Sequence, residues 1–198
     1  MAPKEQKPKE KLTWQQNIVL YVHDMMYLLA VVVLLFLLVF RIIVVSGTSM
    51  KQTLLDGDYL ILLSNTFYRE PQRGDIVVIS KKSFEEGTPI VKRVIATQGQ
   101  TVDIDFELGA VYVDGEMLVE PYINNLTTLD EGTEFPLTVQ EGCIFVLGDN
   151  RGVSRDSRDP AIGQVDKREV LGKALYLVFP GTEDGFYERD FDRMGAVR

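Results

Sequence analysis

The 198-residue chain has one cysteine and one histidine, and each shortage excludes a kind of chemistry. A single cysteine, Cys143, excludes a disulfide within the chain, and so few soft ligands argue against a zinc site. The only histidine, His23, stands at the edge of a long apolar run, which argues against a Ser-His-Asp or Cys-His mechanism. If the chain is a hydrolase, we expect its general base to be a residue other than histidine.

Positive charge is also scarce. The chain has 21 Lys and Arg against 29 Asp and Glu, a net charge of -8 and a pI near 4.8. Nucleic-acid-binding proteins need a basic surface, so we expect no nucleic-acid partner. A hydrophobic share of 45% and a charged share of 25% are typical of a globular protein, and the length allows one modest domain with an appendage.

What the sequence does have is a long apolar run near its N-terminus. Residues 25–40 read MMYLLAVVVLLFLLVF, and after Arg41 the run continues to Val45. As a helix, these 21 positions reach roughly 30 Å, the thickness of the hydrocarbon core of a membrane. A cleaved secretory signal is the alternative, but its apolar core is usually only about 7–15 residues long. The run therefore predicts a tail over residues 1–17, a transmembrane anchor helix over 18–45 and an outer domain over 46–198.

The charges on either side of the run predict its orientation. Lys4, Lys7, Lys9 and Lys11 precede it, and the positive-inside rule keeps such an end in the cytoplasm. After Arg41 the chain has 16 basic and 26 acidic side chains. We therefore expect a single-pass protein of the plasma membrane, with the lipid bilayer as a partner and the domain on the outer face.

Beyond the run, short apolar segments alternate with turn residues, and no helical stripe is visible. The predicted strands are Tyr59–Leu63, Ile76–Ile79, Ile90–Ala96, Thr101–Asp105, Ala110–Val113, Cys143–Leu147 and Ala174–Phe179. Asp114-Gly115 indicates a tight hairpin. The fold class we expect is mainly β, with one transmembrane helix followed by a mostly antiparallel, partly closed sheet. Residues 124–140 are predicted to form a surface excursion, and the tail from Gly181 to be loosely held.

Two of three candidate chemical segments centre on a serine and a lysine. Ser46-Gly47-Thr48-Ser49-Met50 can expose a hydroxyl, although such a string is more often a linker. Lys92, in the strand Ile90–Ala96, shares a face with Ile90, Val94 and Ala96. Burial without a carboxylate partner lowers the pKa of a lysine and makes it a possible general base. The alternative is a lysine whose stem covers the sheet while its head reaches water. Arg93 points to the opposite face and is expected to be solvated or paired.

The third segment, residues 148–158, reads GDNRGVSRDSR and directly follows a predicted strand. Such a density of Asp, Asn, Ser and Arg can build a fixed network of hydrogen bonds and ion pairs. A solvated turn would need far fewer charges. Calcium is a competing interpretation, with the oxygen ligands Asp149, Asn150, Asp156 and Asp159. The EF-hand spacing is absent, however, and the segment's arginines oppose a cation.

In this order, the segments resemble the type I signal peptidases, membrane-anchored Ser-Lys proteases that remove signal peptides from exported preproteins. The resemblance covers most of the chain. Its motifs after the anchor are Ser49-Met50, Arg73-Gly74-Asp75-Ile76-Val77-Val78, Lys92-Arg93-Val94-Ile95, Gly148-Asp149-Asn150-Arg151 and Asp156-Ser157-Arg158. The short chain resembles the small members of the family found in Gram-positive bacteria.

The resemblance implies a role for each matching residue. Ser49 matches the nucleophile, Lys92 the general base, and Ser154 a serine that hydrogen-bonds the lysine. Asp149, Asp156 and Arg158 match positions that hold the shape of the site. Met50, Leu54, Val78 and Val91 match residues that line shallow apolar pockets. The implied reaction is cleavage of secretory preproteins after Ala-x-Ala, with the Ser49 N–H stabilising the oxyanion and with no cofactor or metal.

Two departures from the family pattern question the rigidity of turns near the site. Gln52 stands where the family usually has proline, and Ala96-Thr97-Gln98-Gly99-Gln100 replaces Gly-x-Pro-Gly-Asp. One alternative function is a catalytically silent paralogue, anchored in the membrane as a binding or scaffold protein, which the presence of both Ser49 and Lys92 opposes. A second is a self-cleaving transcriptional regulator with a Ser-Lys pair, which the anchor and the acidic charge oppose.

Overall fold

The computed structural model describes residues 13–182 and 189–197. The four lysines of the predicted tail therefore lie outside the described residues. The chain divides into two compact units, one ending at Leu38 and the other beginning at Val39, and each is described by itself.

The first unit contains helix α1, Trp14–Val39, whose 26 residues extend over about 39 Å. Its start is set by a capping box, because the Thr13 hydroxyl accepts from the Gln16 N–H at 3.4 Å and the Gln16 side chain accepts from the Thr13 N–H at 2.9 Å. None of its residues is buried, and its most apolar window has a mean hydropathy of 2.5. By length and composition, α1 can cross a membrane.

The predicted boundaries of this helix are wrong at both ends. The helix begins before residue 18 and ends at Val39, and Phe40–Val44 forms strand β1 instead. The strand pairs along its whole length with the next one, with Arg41 opposite Leu62 and Val44 opposite Tyr59. A continuous apolar run cannot distinguish a helix from a strand, and here the pairing with a distant segment decides.

The second unit consists of strands and short turns of helix. The strands are β1 Phe40–Val44, β2 Tyr59–Ser64, β3 Ile76–Ile79, β4 Ile90–Thr97, β5 Thr101–Asp105, β6 Ala110–Val113, β7 Glu116–Met117, β8 Leu137–Thr138, β9 Cys143–Leu147, β10 Val165–Asp166, β11 Val170–Phe179 and β12 Gly195–Ala196. Short 3-10 helices lie at Glu85–Gly87, Lys167–Glu169 and Phe191–Arg193. Every predicted strand is present, and the hairpin at Asp114-Gly115 joins β6 to β7 as expected.

Over residues 13–182 and 189–197, the strands form two antiparallel sheets. The larger has the order β1-β2-β11-β3-β4-β9-β10, with β12 paired to β11, and the smaller has the order β7-β6-β5-β8. The predicted fold class is therefore confirmed: mainly β and mostly antiparallel, after one N-terminal apolar helix. Lys92 lies on β4, which β3 and β9 flank in the larger sheet, and its side chain is buried.

Residues 124–140 lie mostly at the surface, as expected, whereas the described part of the tail after Gly181 is held firmly. In residues 124–140, Thr127 is buried and the Thr133 N–H donates to the Arg158 carbonyl at 2.9 Å, so this stretch packs on the loop after β9. Among residues 189–197, Arg193 forms an ion pair with buried Asp58 at 2.8 Å. The prediction of a loosely held tail is wrong for residues 189–197, because the partner Asp58 lies far away in the sequence. Residues 183–188 of the tail are outside the described part of the chain.

Candidate active site

The serine and the lysine singled out from the sequence meet in the second unit. Ser49 lies in the turn between β1 and β2, and Lys92 lies on β4. Lys92 Nζ is 2.8 Å from Ser49 Oγ, within hydrogen-bond distance. Lys92 is only 2% exposed, whereas Ser49 is partly exposed. A hydroxyl within reach of solvent therefore touches an amine shielded from it.

The environment of Lys92 favours its neutral form. The pKa of its amine is lowered from 10.5 to about 8, chiefly by burial; the charges of Asp156, Glu131 and Glu85 act to raise it, and that of Arg158 acts to lower it. At pH 7, about one tenth of such amines are neutral. The alternative of a lysine whose head reaches water is therefore wrong.

The face of β4 that carries Lys92 is regular at one end only. Ile90 and Val94 pack in one hydrophobic cluster, as expected for alternate residues of a strand. Ala96 packs in another cluster together with Ile95. The register against β9 shifts between Val94 and Ala96, and this bulge breaks the alternation. The prediction that Ala96 shares the face of Lys92 is wrong for this reason.

Arg93, the next residue on β4, is also 2% exposed, but it is paired. Its Nε and Nη2 donate to the two carboxylate oxygens of Asp149 at 2.8 and 2.7 Å. The Thr53 hydroxyl donates to the same carboxylate. Asp149 thus joins β4, the loop after β9 and the turn that follows Ser49.

The loop after β9 also holds the backbone on either side of the serine hydroxyl. The Asn150 N–H donates to the Ser49 carbonyl at 2.9 Å, and its side-chain amide donates to the Thr48 carbonyl at 3.0 Å. Gly148 lies so close that a Cβ there would be 2.6 Å from the Ser49 carbonyl oxygen and 2.1 Å from Ser154 Oγ. Only glycine allows this approach.

Asp156 and Arg158 form the buried base of the loop. Arg158 donates to both carboxylate oxygens of Asp156, at 2.8 and 2.9 Å, and Asp156 accepts from the Gly148 N–H at 3.0 Å. Arg158 also donates to the carbonyls of Leu129, Arg151 and Ser154, each at 3.0 Å. The carboxylates considered as calcium ligands are engaged by arginines, since Asp159 pairs with Arg155 at 2.6 Å.

Ser154 is buried in this loop, and its geometry differs from the prediction. Its hydroxyl faces the Arg155 carbonyl at 3.5 Å, and its side chain packs against Gly148. Within residues 13–182 and 189–197, Ser154 and Lys92 share no hydrogen bond. The close packing under Gly148 accounts for this placement, and a role of Ser154 toward the lysine stays a prediction.

The four predicted pocket residues lie in a single hydrophobic cluster next to Ser49. They are Met50, Leu54, Val78 and Val91, with exposed fractions of 1%, 1%, 0% and 8%. The structure thus brings them together, and their contact with substrate stays a prediction.

Three residues outside the sequence motifs, Glu120, Tyr122 and Thr127, hold the loop through Arg151 and Arg93. Arg151 donates to both carboxylate oxygens of Glu120, at 2.6 and 3.0 Å, and to the Thr127 hydroxyl at 2.6 Å. The Tyr122 hydroxyl donates to Glu120 at 2.9 Å, and its ring lies 3.9 Å from the Arg93 guanidinium. Tyr122 therefore links two buried arginines. Sequence reasoning missed these residues because Arg151 lies at least 24 positions from its partners.

The structure also explains how the two departures from the family pattern are accommodated. Gln52 has a φ of +85°, a conformation that the proline ring excludes. The turn before β5 is closed by the Gln100 side chain, which accepts from the Thr97 N–H at 3.0 Å and donates to Asp114 at 2.9 Å. The turn before β5 therefore has its own local support, whereas Gln52 adopts a φ that favours glycine.

Comparisons with known proteins identify the family. The family described as "Signal peptidase, peptidase S26" matches residues 18–179. The chain belongs to this family. Signal peptidase I of Bacillus licheniformis is 37% identical over 147 residues, which cover 70% of this chain and 76% of that protein. Signal peptidase I T of Bacillus subtilis strain 168 is 33% identical over 187 residues, covering 90% of this chain and 91% of that protein.

A solved structure is similar as well. The crystal structure of a signal peptidase I from Enterococcus faecalis is 34% identical, has a TM-score of 0.43 and covers 52% of this chain and 96% of that chain. The family and its relatives support a serine peptidase with signal peptidase I function, and give no support to a silent binding protein. Together with the apolar helix α1, they indicate a membrane-anchored protein.

Proposed function

We propose that the chain is a Ser-Lys endopeptidase that removes signal peptides from exported preproteins after Ala-x-Ala. One observation carries the proposal: Lys92 Nζ lies 2.8 Å from Ser49 Oγ while its side chain is almost completely buried. A neutral lysine amine can take the proton of a serine where no histidine is available. Apart from His23 on helix α1, the chain contains no histidine.

In the first step, Ser49 Oγ attacks the scissile carbonyl carbon and its proton passes to Lys92 Nζ. The resulting ammonium then protonates the leaving amine as the peptide C–N bond breaks, which leaves an ester on Ser49. In the second step, neutral Lys92 takes a proton from water, and the hydroxide formed attacks the ester carbonyl carbon. As the bond to Ser49 Oγ breaks, Lys92 Nζ returns the proton to Ser49, and the acid product leaves. The buried site lowers the pKa of the amine to about 8, so each proton transfer is feasible near neutral pH.

The negative charge that develops on the carbonyl oxygen needs hydrogen-bond donors. Among the described residues, none accepts a hydrogen bond from the Ser49 N–H, so this group is available for the oxyanion. Gly47, two positions earlier, has no side-chain donor to add.

The substrate is an extended segment of a preprotein whose small side chains fit shallow apolar pockets. The cluster of Met50, Leu54, Val78 and Val91 beside Ser49 supports this specificity. Because overpacking an apolar site costs at least about 1–3 kcal/mol, alanine is accepted and leucine or phenylalanine rejected. Helix α1, Trp14–Val39, is the membrane anchor, the N-terminus is cytoplasmic, and the β-rich domain that follows meets its substrates on the outer face.

The test is cleavage of a preprotein with an Ala-x-Ala site by the detergent-solubilised chain. We expect Ser49→Ala and Lys92→Ala each to abolish cleavage while the protein stays folded. Ser46→Ala and Lys82→Ala are matched controls, since both positions are exposed, and should keep full activity. Activity of Lys92→Ala within about tenfold of the unmodified chain contradicts the Ser-Lys pair. Efficient cutting after Leu, Phe or Lys contradicts the specificity.

A further inference from the structure

The turn that carries Ser49, residues 45–58, is closed at its base by Asp58. We call this turn the Ser49 loop. The Val45 N–H donates to the Asp58 carbonyl at 2.8 Å, and the Gly57 N–H donates to the Val45 carbonyl at 2.9 Å. The Asp58 carboxylate also accepts from the Leu55 N–H at 2.7 Å and is completely buried. The two ends of the Ser49 loop are therefore tied by backbone hydrogen bonds at Asp58, and the buried side chain of the same residue holds Leu55.

The cation for this carboxylate comes from the other end of the chain. Nη1 and Nη2 of Arg193 donate to the two oxygens of Asp58, at 3.0 and 2.8 Å. The Gly181 N–H donates to the same carboxylate at 2.6 Å. A Cβ on Gly181 would lie 1.9 Å from the Asp56 carbonyl oxygen, so only glycine allows the chain to approach. Within the described ranges, Arg193 is the one cation in an ion pair with Asp58.

Arg193 is itself held in place from both sides. The 3-10 helix that contains it is capped by Asp190, and the Phe191 ring contacts the Phe179 ring at 5.8 Å. The following strand β12 pairs with β11, and the Val197 side chain packs against the hydrophobic cluster that includes Met50. This C-terminal segment, residues 189–197, lies beyond the family match over residues 18–179.

We propose that Arg193 is a positioning residue for cleavage, which holds the Ser49 loop so that Ser49 Oγ reaches Lys92. A buried carboxylate that loses its cation must recruit water or a proton, or move to solvent. Any of these changes loosens the tie between Val45 and Asp58, four residues before Ser49. The inference rests on the proposed role of Ser49 as the nucleophile.

A purely structural role of Arg193 would have a different consequence. Loss of a structural ion pair lowers global stability and leaves the folded site as it was. Loss of a positioning contact opens the Ser49 loop locally, in molecules that are otherwise folded. Local opening is measured by amide hydrogen exchange, which reports on single segments.

The test compares the full-length variants Arg193→Ala and Arg193→Lys with Val102→Ala, which removes packing in the smaller sheet. Exchange of the amides of residues 45–58 is followed by mass spectrometry, and kcat/KM is measured well below the unfolding temperature. For Arg193→Ala we expect exchange in the Ser49 loop to be about tenfold faster and kcat/KM at least about tenfold lower, with β5 and β6 unchanged. Arg193→Lys, which keeps the charge but loses the bidentate contact, should recover part of both.

Val102→Ala should lower the unfolding temperature without changing either readout. If Arg193→Ala does not fold, Arg193→Lys supplies the same two readouts with a smaller expected change. Unchanged exchange in the Ser49 loop, or the same acceleration in Val102→Ala, overturns the proposal. Failure of the proposed function is distinct, because Ser49→Ala would then keep its activity. If only the positioning role fails, Ser49→Ala is inactive while the Arg193 variants cleave at the normal rate.

Discussion

Two neighbouring cations on strand β4 have the same burial and opposite surroundings. Lys92 and Arg93 are each 2% exposed. Lys92 touches a serine hydroxyl, and no carboxylate of the described chain is in an ion pair with it. Arg93 meets the carboxylate of Asp149 through two hydrogen bonds, at 2.8 and 2.7 Å. A buried cation that is paired with a carboxylate stays charged and has a structural role. A buried amine without such a partner has a lowered pKa and can accept a proton.

Arg93 and Asp149 are not the only buried ion pair among the described residues near the site. Arg151 and Arg158 are completely buried as well, and each is matched bidentately, by Glu120 and Asp156. These pairs fix the loop whose Asn150 holds the backbone of Ser49. The proposed reactive pair, one amine and one hydroxyl, is thus surrounded by buried charges that are neutralised in ion pairs.

The largest effect on activity is expected when the buried amine of Lys92 is removed. Lys92→Met should lower kcat/KM at least about 10³-fold, because the proposed nucleophile, Ser49, loses its proposed base. The same substitution should stabilise the fold, since the pKa of Lys92 is about 8 in the folded protein, against an ordinary value of 10.5 for lysine in an unfolded chain. The folded state therefore bears the cost of the buried charge below pH 8 and loses that cost as the pH rises toward 10.5.

The gain for Lys92→Met should be about 3 kcal/mol at pH 7 and should vanish near pH 11. Urea unfolding at the two pH values measures it. A variant that is inactive and also less stable than the parent at pH 7 would contradict the account of an uncompensated buried amine.

The next largest effect is expected when the ion pair between Arg93 and Asp149 is broken. Arg93→Met leaves the Asp149 carboxylate buried without its guanidinium, and we expect a loss of about 3–5 kcal/mol in the free energy of unfolding. The double variant Arg93→Met/Asp149→Leu should recover most of this loss, because no charge is then left buried. Chemical denaturation of the three proteins tests the cycle, and a double variant as unstable as the single one would argue against a matched pair.

A smaller effect separates the two contacts of Tyr122. Tyr122→Phe removes the hydrogen bond to Glu120 and keeps the ring over Arg93, so we expect a loss of about 0.5–1.5 kcal/mol. Tyr122→Leu also removes the ring and should cost about 1 kcal/mol more. Equal stability of the two variants would show that the contact between the Tyr122 ring and Arg93 contributes nothing to stability.

The smallest effect concerns the backbone beside the nucleophile and touches neither cation. Gln52 has a φ of +85°, so Gln52→Gly should stabilise the fold by up to about 1 kcal/mol. Gln52→Pro, the residue usual in the family, should destabilise it, because proline cannot adopt this φ. Thermal unfolding distinguishes the two, and a more stable proline variant would mean that the turn has another conformation in solution.

The sequence predicts those strands that have a local signal. Ile76–Ile79 follows Gly74 and Thr101–Asp105 follows Gly99, and both strands have the predicted bounds. Strand β1 has no such boundary, because its apolar residues continue those of helix α1. Pairing with β2 forms it, and a pairing partner cannot be recognised from the apolar run itself.

The residues of the site also fall into those that a local sequence signal predicts and those that it does not. Ser49 and Lys92 stand in short motifs, so the sequence predicts their meeting across 43 positions. Glu120 and Arg193 stand in no motif, and the Arg193 contact to Asp58 spans 135 positions. Their roles depend on which buried charge needs a partner, and that becomes visible only when the chain is folded.

The central claim is that burial makes Lys92 a base, and the pH dependence of kcat/KM tests it most directly. Burial and Arg158 lower the pKa of the amine, while Asp156, Glu131 and Glu85 raise it, with a balance at about 8. We therefore predict that kcat/KM rises with pH to a plateau with a midpoint at about 8. Glu131→Gln should move that midpoint downward, because it removes a negative charge that favours the ammonium. A midpoint near 10.5, the ordinary value for lysine, would contradict the claim, and so would a profile with no basic ionisation.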